Sequence, residues 1–254
     1  MNHKLILLAI TFLVYTSISF ADTRHGGFEP TKISDCKLWL DASDEDTVVL
    51  SNENTRIVQW DDKSGNGYHV VQSSQAFQPT YVENILNSKS IIRFNGVSQY
   101  FTGDSPDIKA NDAKTVFIVA KKQGDTSRGI LSTRITRGGA FNLRSFYAEY
   151  FHTGVGGIRA TIDGSKFNII SFIVNSNGSL PKKIFANGVE LMLLVDTLGP
   201  AITEATDYFD VGRQSGNYFD DDLAEIIYYK RILTNLEKRQ VEKYLSIKWA
   251  IILE

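Results

Sequence analysis

The stretch "DDLAEIIYYKRILTNLEKRQVEKYLSIKW", residues 221–249, shows two different hydrophobic periodicities on either side of one turn. Leu223–Tyr229 is an apolar run rich in Ile and Tyr, which predicts a buried strand. Thr234 and Glu237 have the spacing of a capping box, and an apolar stripe follows at helical spacing. The stripe consists of Val241, Tyr244, Leu245, Trp249 and Ile252. The stretch therefore predicts a strand and then one capped helix that docks on the outside of a sheet.

The chain from residue 22 to this stretch contains short apolar or alternating runs separated by Gly, Asn, Asp and Ser. Such runs are typical of strands, and no long helix alternates with them, which disfavours a parallel α/β sheet. The sequence therefore predicts an all-β fold with two antiparallel sheets. The candidate strands are Cys36–Ala42, Arg56–Trp60, Tyr68–Gln72, Ser90–Phe94, Thr115–Lys121, Gly129–Thr133, Ala140–Phe151, Ile158–Ile162, Asn168–Asn175, Lys182–Asn187, Asp207–Gly212 and Leu223–Tyr229.

The segment "WDDKSGNGYHVVQ", residues 60–72, admits two interpretations. As a structural turn, it would use Gly65-Asn66-Gly67 to reverse the chain and Asp61 or Asp62 to accept hydrogen bonds from turn amides. Trp60 would then end a strand in the core. As a metal site, it would supply carboxylate oxygens, which Ca²⁺ prefers. We favour the turn.

Calcium remains an alternative because five aspartates fall in two neighbouring loops. The candidate ligands are Asp44, Asp46 and Asp61, and Asp41 and Asp62 lie beside them in the sequence. Their spacing does not match an EF-hand loop, so folding would have to bring the two loops together. No other cofactor is predicted.

Three stretches carry a resemblance to a known family. They are "LWLDASDEDTV" (38–48), "WDDKSGNGYHVVQ" (60–72) with "IIRFNGVSQY" (91–100), and residues 221–249. In this order they resemble the laminin-G-like jelly-roll domains of the concanavalin A-like lectin/glucanase superfamily. The resemblance implies a jelly-roll β-sandwich with a C-terminal α-helix docked on it. It departs from the family at Asp221, where such domains often carry a glycine.

Enzymatic interpretations lack their motifs. Glucanases that resemble this fold carry Glu-x-Asp-x-x-Glu or Glu-x-Asp-x-Glu on one strand, and no such run occurs here. Asp222 and Glu225 are three residues apart, so a regular strand would point them to opposite faces. We expect Glu225 to be a structural partner of the helix or of a neighbouring strand. A glycoside hydrolase, a polysaccharide lyase and a protein-binding adhesion module remain alternatives to a binding module.

The best candidate ligand surface is "FNLRSFYAEYFHT", residues 141–153. If this is one strand, Arg144, Phe146, Tyr150 and His152 share a face that is polar and aromatic. Sugar sites have this composition, because rings stack on C–H faces and polar groups bind hydroxyls. In the alternative interpretation the face is covered, and Asp163 or Glu149 pairs with Arg144.

The first 21 residues have the pattern of a secretory signal: Lys4, an apolar run over 5–20, and small residues at 19 and 21. Cleavage after Ala21 would leave residues 22–254, which we interpret as a single domain in the extracellular space or periplasm. A net charge of −2 argues against nucleic-acid binding, and no later apolar run could span a membrane. The sequence predicts a secreted, non-catalytic module that binds glycan or an extracellular protein surface.

Overall fold

The computed structural model describes residues 27–51, 55–104, 112–122, 128–133, 139–144, 146–152, 155–175, 181–200 and 208–254. The signal peptide predicted over residues 1–21 lies outside the described residues, and its cleavage stays a prediction. The helix is α1 (Asn235–Trp249). The strands are β1 (Cys36–Asp41), β2 (Val48–Leu50), β3 (Ile57–Trp60), β4 (Val70–Val71), β5 (Thr80–Leu86), β6 (Lys89–Asn95), β7 (Phe101–Asp104), β8 (Lys114–Ala120), β9 (Arg128–Thr133), β10 (Gly139–Leu143), β11 (Tyr147–His152), β12 (Gly156–Thr161), β13 (Asn168–Val174), β14 (Lys182–Ala186), β15 (Val189–Glu190), β16 (Leu193–Asp196), β17 (Tyr208–Val211), β18 (Arg213–Gln214), β19 (Asn217–Tyr218) and β20 (Asp220–Tyr229).

These strands form two large antiparallel sheets and one small hairpin. The eight-stranded sheet has the order β15-β14-β13-β8-β20-β6-β5, and β1 also pairs with β20. The ten-stranded sheet has the order β16-β12-β11-β10-β9-β17-β7-β4-β3-β2. The hairpin consists of β18 and β19. The predicted fold class, an all-β sandwich with a C-terminal helix, is confirmed.

A single apolar core fills the space between the two sheets. The eight-stranded sheet contributes Phe94, Ile118 and Phe172, while the ten-stranded sheet contributes Trp60 and Phe209. Alternating side chains of each strand point inward, and each large apolar group that is fully buried contributes about 1.5–3 kcal/mol. The prediction that Trp60 is a core residue is confirmed.

A second apolar layer lies between the outer face of the eight-stranded sheet and α1. Val241, Leu245 and Trp249 are buried there against Phe117 and Ile227. The helix begins as predicted, with a capping box. The Thr234 side chain accepts a hydrogen bond from the Glu237 backbone N–H, and the Glu237 side chain accepts one from the Thr234 backbone N–H. Ile252 does not extend the apolar stripe as expected: the helix ends at Trp249, and Ile252 is 83% exposed.

Glu225 is the polar centre of this second layer. Its carboxylate accepts hydrogen bonds from Trp39 Nε1 at 2.7 Å and from Trp249 Nε1 at 2.6 Å. Tyr244 OH donates to it at 3.1 Å and Lys248 Nζ at 2.7 Å. A buried carboxylate needs such donors, since burying an unpaired charge is costly. The expectation that Glu225 is a structural partner of the helix is confirmed.

Cys36 is a free cysteine buried in the same layer. Burial and the nearby Asp62 carboxylate raise the pKa of its thiol to about 12. The thiol therefore stays protonated and unreactive at neutral pH. The described residues contain no helix with the length and hydropathy that crossing a bilayer requires.

Asp221, where the resemblance expects glycine, has a backbone conformation that favours glycine. Its φ is +139°, in the region where a side chain is strained. Because relief of that strain exceeds the entropic cost of glycine, we expect Asp221→Gly to raise the free energy of unfolding by about 1 kcal/mol. Urea denaturation measures the change.

Asp104→Gly is the matched control for this substitution. Asp104 ends β7 on the surface, and it does not have a positive φ. The same change should therefore lower stability there by about 0.5–1 kcal/mol. Equal losses in both variants would show that Asp221 is not strained.

Candidate functional site

The segment 60–72 is a structural turn organised by Asp62. The buried carboxylate of Asp62 accepts from the backbone N–H groups of Trp39 at 2.9 Å, Ser64 at 2.8 Å and Tyr68 at 3.1 Å. These bonds tie the turn to β1 and satisfy amides that the reversal would otherwise leave unpaired. The favoured interpretation of this segment is confirmed, with Asp62 as the residue that binds the amides.

The three candidate calcium ligands lie in different surroundings. Asp44 Oδ2 lies 2.5 Å from Lys63 Nζ, and Asp61 Oδ1 lies 2.8 Å from His69 Nδ1. Asp46 is exposed on a short turn of 3₁₀ helix. In the described ranges, no group of three or more His, Cys, Asp or Glu side chains could hold a metal ion. The structure thus does not bring Asp44, Asp46 and Asp61 together.

The single strand predicted over Ala140–Phe151 is wrong. The chain forms β10 and β11 instead, and the backbone N–H of Arg144 donates to the carbonyl of Tyr147 between them. Because of this turn, the side chains of β10 and β11 do not follow one continuous alternation between the two faces of the sheet. Phe141 and Tyr150, which one continuous strand would place on opposite faces, pair across the hairpin and both point into the core, with ring centroids 4.8 Å apart.

The predicted ligand residues are therefore divided between the interior and the surface. Tyr150 and His152 are buried, whereas Arg144 is half-buried and Phe146 is 59% exposed at the hairpin turn. The shared face does not exist. Glu149, proposed as a partner for Arg144, instead pairs with Arg159 at 2.6 Å.

Tyr150 belongs to a polar group within the sandwich core. Lys114 is 2% exposed, and its Nζ lies 3.5 Å from Tyr150 OH. Burial lowers the pKa of Lys114 to about 7, although Asp112 partly opposes this. Burial also raises the pKa of the nearby Tyr228 phenol. A ligand could not reach these groups without opening the sandwich.

An accessible group of aromatic rings lies at one end of the ten-stranded sheet. We call Phe77, Tyr100, Arg213 and Tyr218 the rim cluster. The Arg213 guanidinium carbon lies 3.4 Å from the Tyr100 ring centroid. The Tyr100 centroid lies 6.2 Å from that of Phe77 and 6.1 Å from that of Tyr218. Phe77 is 40% exposed, and both tyrosines are half-buried.

Buried hydrogen bonds hold the arginine of the rim cluster in place. Arg213 Nε donates to Asp210 Oδ2 at 2.9 Å, and Thr102 Oγ1 donates to Asp210 Oδ1 at 2.8 Å. Asp210 itself is buried on β17. Since the guanidinium is fixed and its charge is balanced, the cluster presents a rigid surface of rings and hydrogen-bonding groups.

The hairpin turn with Arg144 and Phe146 lies at the same end of the sheet. Leu143 at the end of β10 pairs with Arg128 at the start of β9. Gly129, the next residue of β9, is packed so tightly against Gln214 of β18 that an added Cβ would lie 2.6 Å from the Gln214 Cβ. Two of the four predicted ligand residues therefore lie on the rim that carries the rim cluster.

The sequence contained a signal for the hairpin of β18 and β19, which carries Arg213 and Tyr218. Ser215-Gly216 separates two short polar segments, and both residues have positive φ, 44° and 83°. A two-residue turn of this kind is typical of a tight β-hairpin. The pattern predicts the turn and places Arg213 opposite Tyr218. The contacts with Tyr100 and Phe77 are long-range and leave no pattern in the sequence.

No family model and no curated protein sequence matches this chain. Solved structures do match. Domain 4 of an extracellular arabinanase from Geobacillus stearothermophilus, in complex with arabinotriose, is 13% identical with a TM-score of 0.55. The binding domain of Paraclostridial Mosquitocidal Protein 1 is 13% identical with a TM-score of 0.57. Trypanosoma rangeli sialidase is 13% identical with a TM-score of 0.53.

The extent of each match differs. The arabinanase match covers 83% of this chain and 98% of domain 4. The toxin match covers 86% of this chain and 53% of the toxin chain, and the sialidase match covers 85% and 33%. The chain thus spans about half of the toxin domain and a third of the sialidase. At these identities the matches show a shared β-sandwich fold.

Proposed function

We propose that this chain is a secreted, non-catalytic carbohydrate-binding domain of laminin-G-like type, and that the rim cluster is its ligand surface. The observation that carries the proposal is the group of partly exposed rings around a fixed arginine. Rings stack on the C–H faces of sugars, while the tyrosine hydroxyls bind sugar hydroxyls. Arg144 and Phe146 would extend this surface along the rim.

The comparisons support the ligand class. The matched arabinanase domain was solved with arabinotriose, and this chain spans 98% of that domain. The absence of catalysis is supported by the chemistry of the rim cluster. A glycosidase needs two carboxyl groups flanking the bond to be cleaved. Asp210 is the carboxylate that contacts the cluster, and it is buried and paired with Arg213.

A glycan array that includes arabinotriose and sialylated oligosaccharides tests the proposal. We expect binding without product formation in reducing-sugar and unsaturated-uronate assays. Phe77→Ala and Tyr218→Ala should each weaken binding at least tenfold, or about 1.4 kcal/mol, because each removes a ring that contacts the ligand. The melting temperatures of both variants should stay within a few degrees of the parent protein.

Tyr208→Ala is the matched control, since Tyr208 is an exposed aromatic residue at the opposite end of β17 from Arg213. Its binding should equal that of the parent protein. Phe146→Ala tests the extension along the rim and should reduce affinity for longer oligosaccharides more than for short ones. Binding that survives loss of both Phe77 and Tyr218 would contradict the proposed surface, and turnover would favour an enzyme.

We propose further that binding does not require calcium. The Lys63 ammonium lies between Asp41 and Asp44, 3.0 Å from Asp41 Oδ2, where it occupies the space between the two carboxylates. The array should give the same result with chelator as with calcium. Loss of binding on addition of chelator, restored by calcium, would contradict this.

A further inference from the structure

Three ionisable groups meet in the layer beneath α1. Lys248 Nζ lies 2.5 Å from Asp41 Oδ1 and 2.7 Å from Glu225 Oε2. All three side chains are buried, and they come from α1, β1 and β20. We call Asp41, Glu225 and Lys248 the buried triad. An amine and a carboxyl group are thus held in contact, with a second carboxylate beside the amine.

The two carboxylates of the triad have different surroundings. Glu225 is held by hydrogen bonds from two indoles and a phenol, as described above. Asp41 has a cationic partner on each oxygen and a hydroxyl partner on Oδ1. Ser43 Oγ donates to Oδ1 at 2.7 Å, and Lys63 Nζ donates to Oδ2 at 3.0 Å. Asp41 is therefore the carboxyl group that is polarised, while Glu225 is positioned to exchange a proton with the amine.

From this arrangement we propose that Lys248 and Asp41 condense into an intramolecular isopeptide bond, with Glu225 transferring the proton. An amide then joins Lys248 Nζ to Asp41 Cγ. This ties the first strand of the sandwich to its last helix. Contact between the reacting groups removes most of the entropic barrier to such a reaction.

The step balances without a further reactant. The Lys248 ammonium gives one proton to Glu225, and the free amine forms a bond to Asp41 Cγ. Negative charge develops on Oδ2, where the Lys63 ammonium stabilises it. A second proton from the nitrogen and the proton held by Glu225 pass to Oδ1. The Cγ–Oδ1 bond breaks, one water leaves, Glu225 is again a carboxylate, and the nitrogen keeps one hydrogen.

Burial favours this proton transfer. It raises the pKa of the Glu225 carboxyl, against the opposing effect of Lys248, so Glu225 takes up a proton readily. Burial also raises the pKa of Asp41, but Lys248 and Lys63 lower it further, so the reaction starts from an ion pair. An ion pair and an amide plus water are alternative neutral states of the same atoms, and burial of the charged side chains favours the uncharged amide.

Mass spectrometry of the purified, denatured full-length protein tests the proposal. The measured mass should be lower by one water than the mass calculated for residues 22–254, the sequence expected after signal cleavage. Trypsin should release a branched peptide that joins residues 38–56 to residues 244–254, because an acylated Lys248 is not cleaved. Linear peptides 38–56 and 244–248 without the branched species would overturn the proposal.

Two variants and one internal control assign the roles. Glu225→Gln keeps the size of the side chain but cannot take up the proton, so it should yield the linear peptides. A branched peptide in that variant would overturn the role given to Glu225. The internal control is the buried pair of Lys238 and Glu242, at 2.7 Å. It has one carboxylate where the triad has two, so it should remain unlinked. Asp41→Ala should also abolish the link. If the variants fail to fold, the peptides released from the parent protein decide the proposal.

Discussion

Replacing Lys248 with methionine is expected to lower the free energy of unfolding by about 3–5 kcal/mol. Methionine fills a similar volume but has no charge. Lys248 Nζ is the cation that contacts Glu225 in the described part of the chain, at 2.7 Å. Its loss removes the proposed link to Asp41 and leaves Glu225 buried beside a free Asp41 carboxylate, with no cation in contact with Glu225 among the described residues. Chemical denaturation followed by tryptophan fluorescence measures the loss, since Trp39 and Trp249 contact the same carboxylate.

Lys183→Met is the matched control for this prediction. Lys183 pairs with Glu190 at 2.8 Å, a distance close to that in the triad, but its side chain is 41% exposed. Exposed pairs contribute about 0–1 kcal/mol, so this variant should differ little from the parent protein. Similar losses in the two variants would show that burial of the triad does not determine its contribution.

Lys114→Met is expected to act in the opposite direction and to raise the free energy of unfolding at pH 7 by about 1–4 kcal/mol. Lys114 is buried in the sandwich core, and its Nζ lies 3.5 Å from Tyr150 OH. Burial lowers its pKa from 10.5 to about 7. An apolar side chain of similar length avoids the cost of burying the charge while still filling the space.

The lowered pKa of Lys114 determines how the free energy of unfolding changes with pH. Between about pH 7 and 10.5 the unfolded chain holds a proton on Lys114 that the folded chain lacks. The free energy of unfolding of the parent protein should therefore rise with pH across this window. Above about pH 10 the Tyr228 phenol, whose pKa burial raises, reverses the trend as the unfolded state ionises.

Denaturation curves at about pH 6 and 9 test the prediction. The parent protein should be more stable at the higher pH, and Lys114→Met should show a smaller difference. A variant less stable than the parent protein at pH 7 would contradict the argument. It would mean that the contacts of the ammonium outweigh the cost of its burial.

The parts of the fold that sequence reasoning predicted are those with strong local patterns. The capping box at Thr234, the apolar run before it and the turn at 60–72 each have a local physical cause. Strands β5 (Thr80–Leu86) and β7 (Phe101–Asp104) were not predicted. The burial of β5 does not alternate regularly, and β7 contains a glycine packed against Phe209, so the usual strand signals are weak.

The candidate site was only partly predictable, because one turn determines which side chains of residues 140–152 reach the surface. The alternation of faces over Ala140–Phe151 was counted as if the strand were continuous, and the turn after Leu143 reversed the count. Arg144 and Phe146 reached the surface because they lie in that turn. The rim cluster unites residues more than a hundred positions apart, and such contacts follow from sheet order, which the sequence alone did not specify.

The pairing of β1 with β20 has a consequence for how the chain folds. Within the described residues β1 pairs with β20 alone, and Trp39 on β1 donates to Glu225 on β20. Contacts between such distant parts of a chain form slowly, because a long loop must close first. Strand β1 therefore has no strand to pair with until β20 (Asp220–Tyr229) is available. The eight-stranded sheet of a chain still being synthesised would remain incomplete until β20 inserts between β8 and β6.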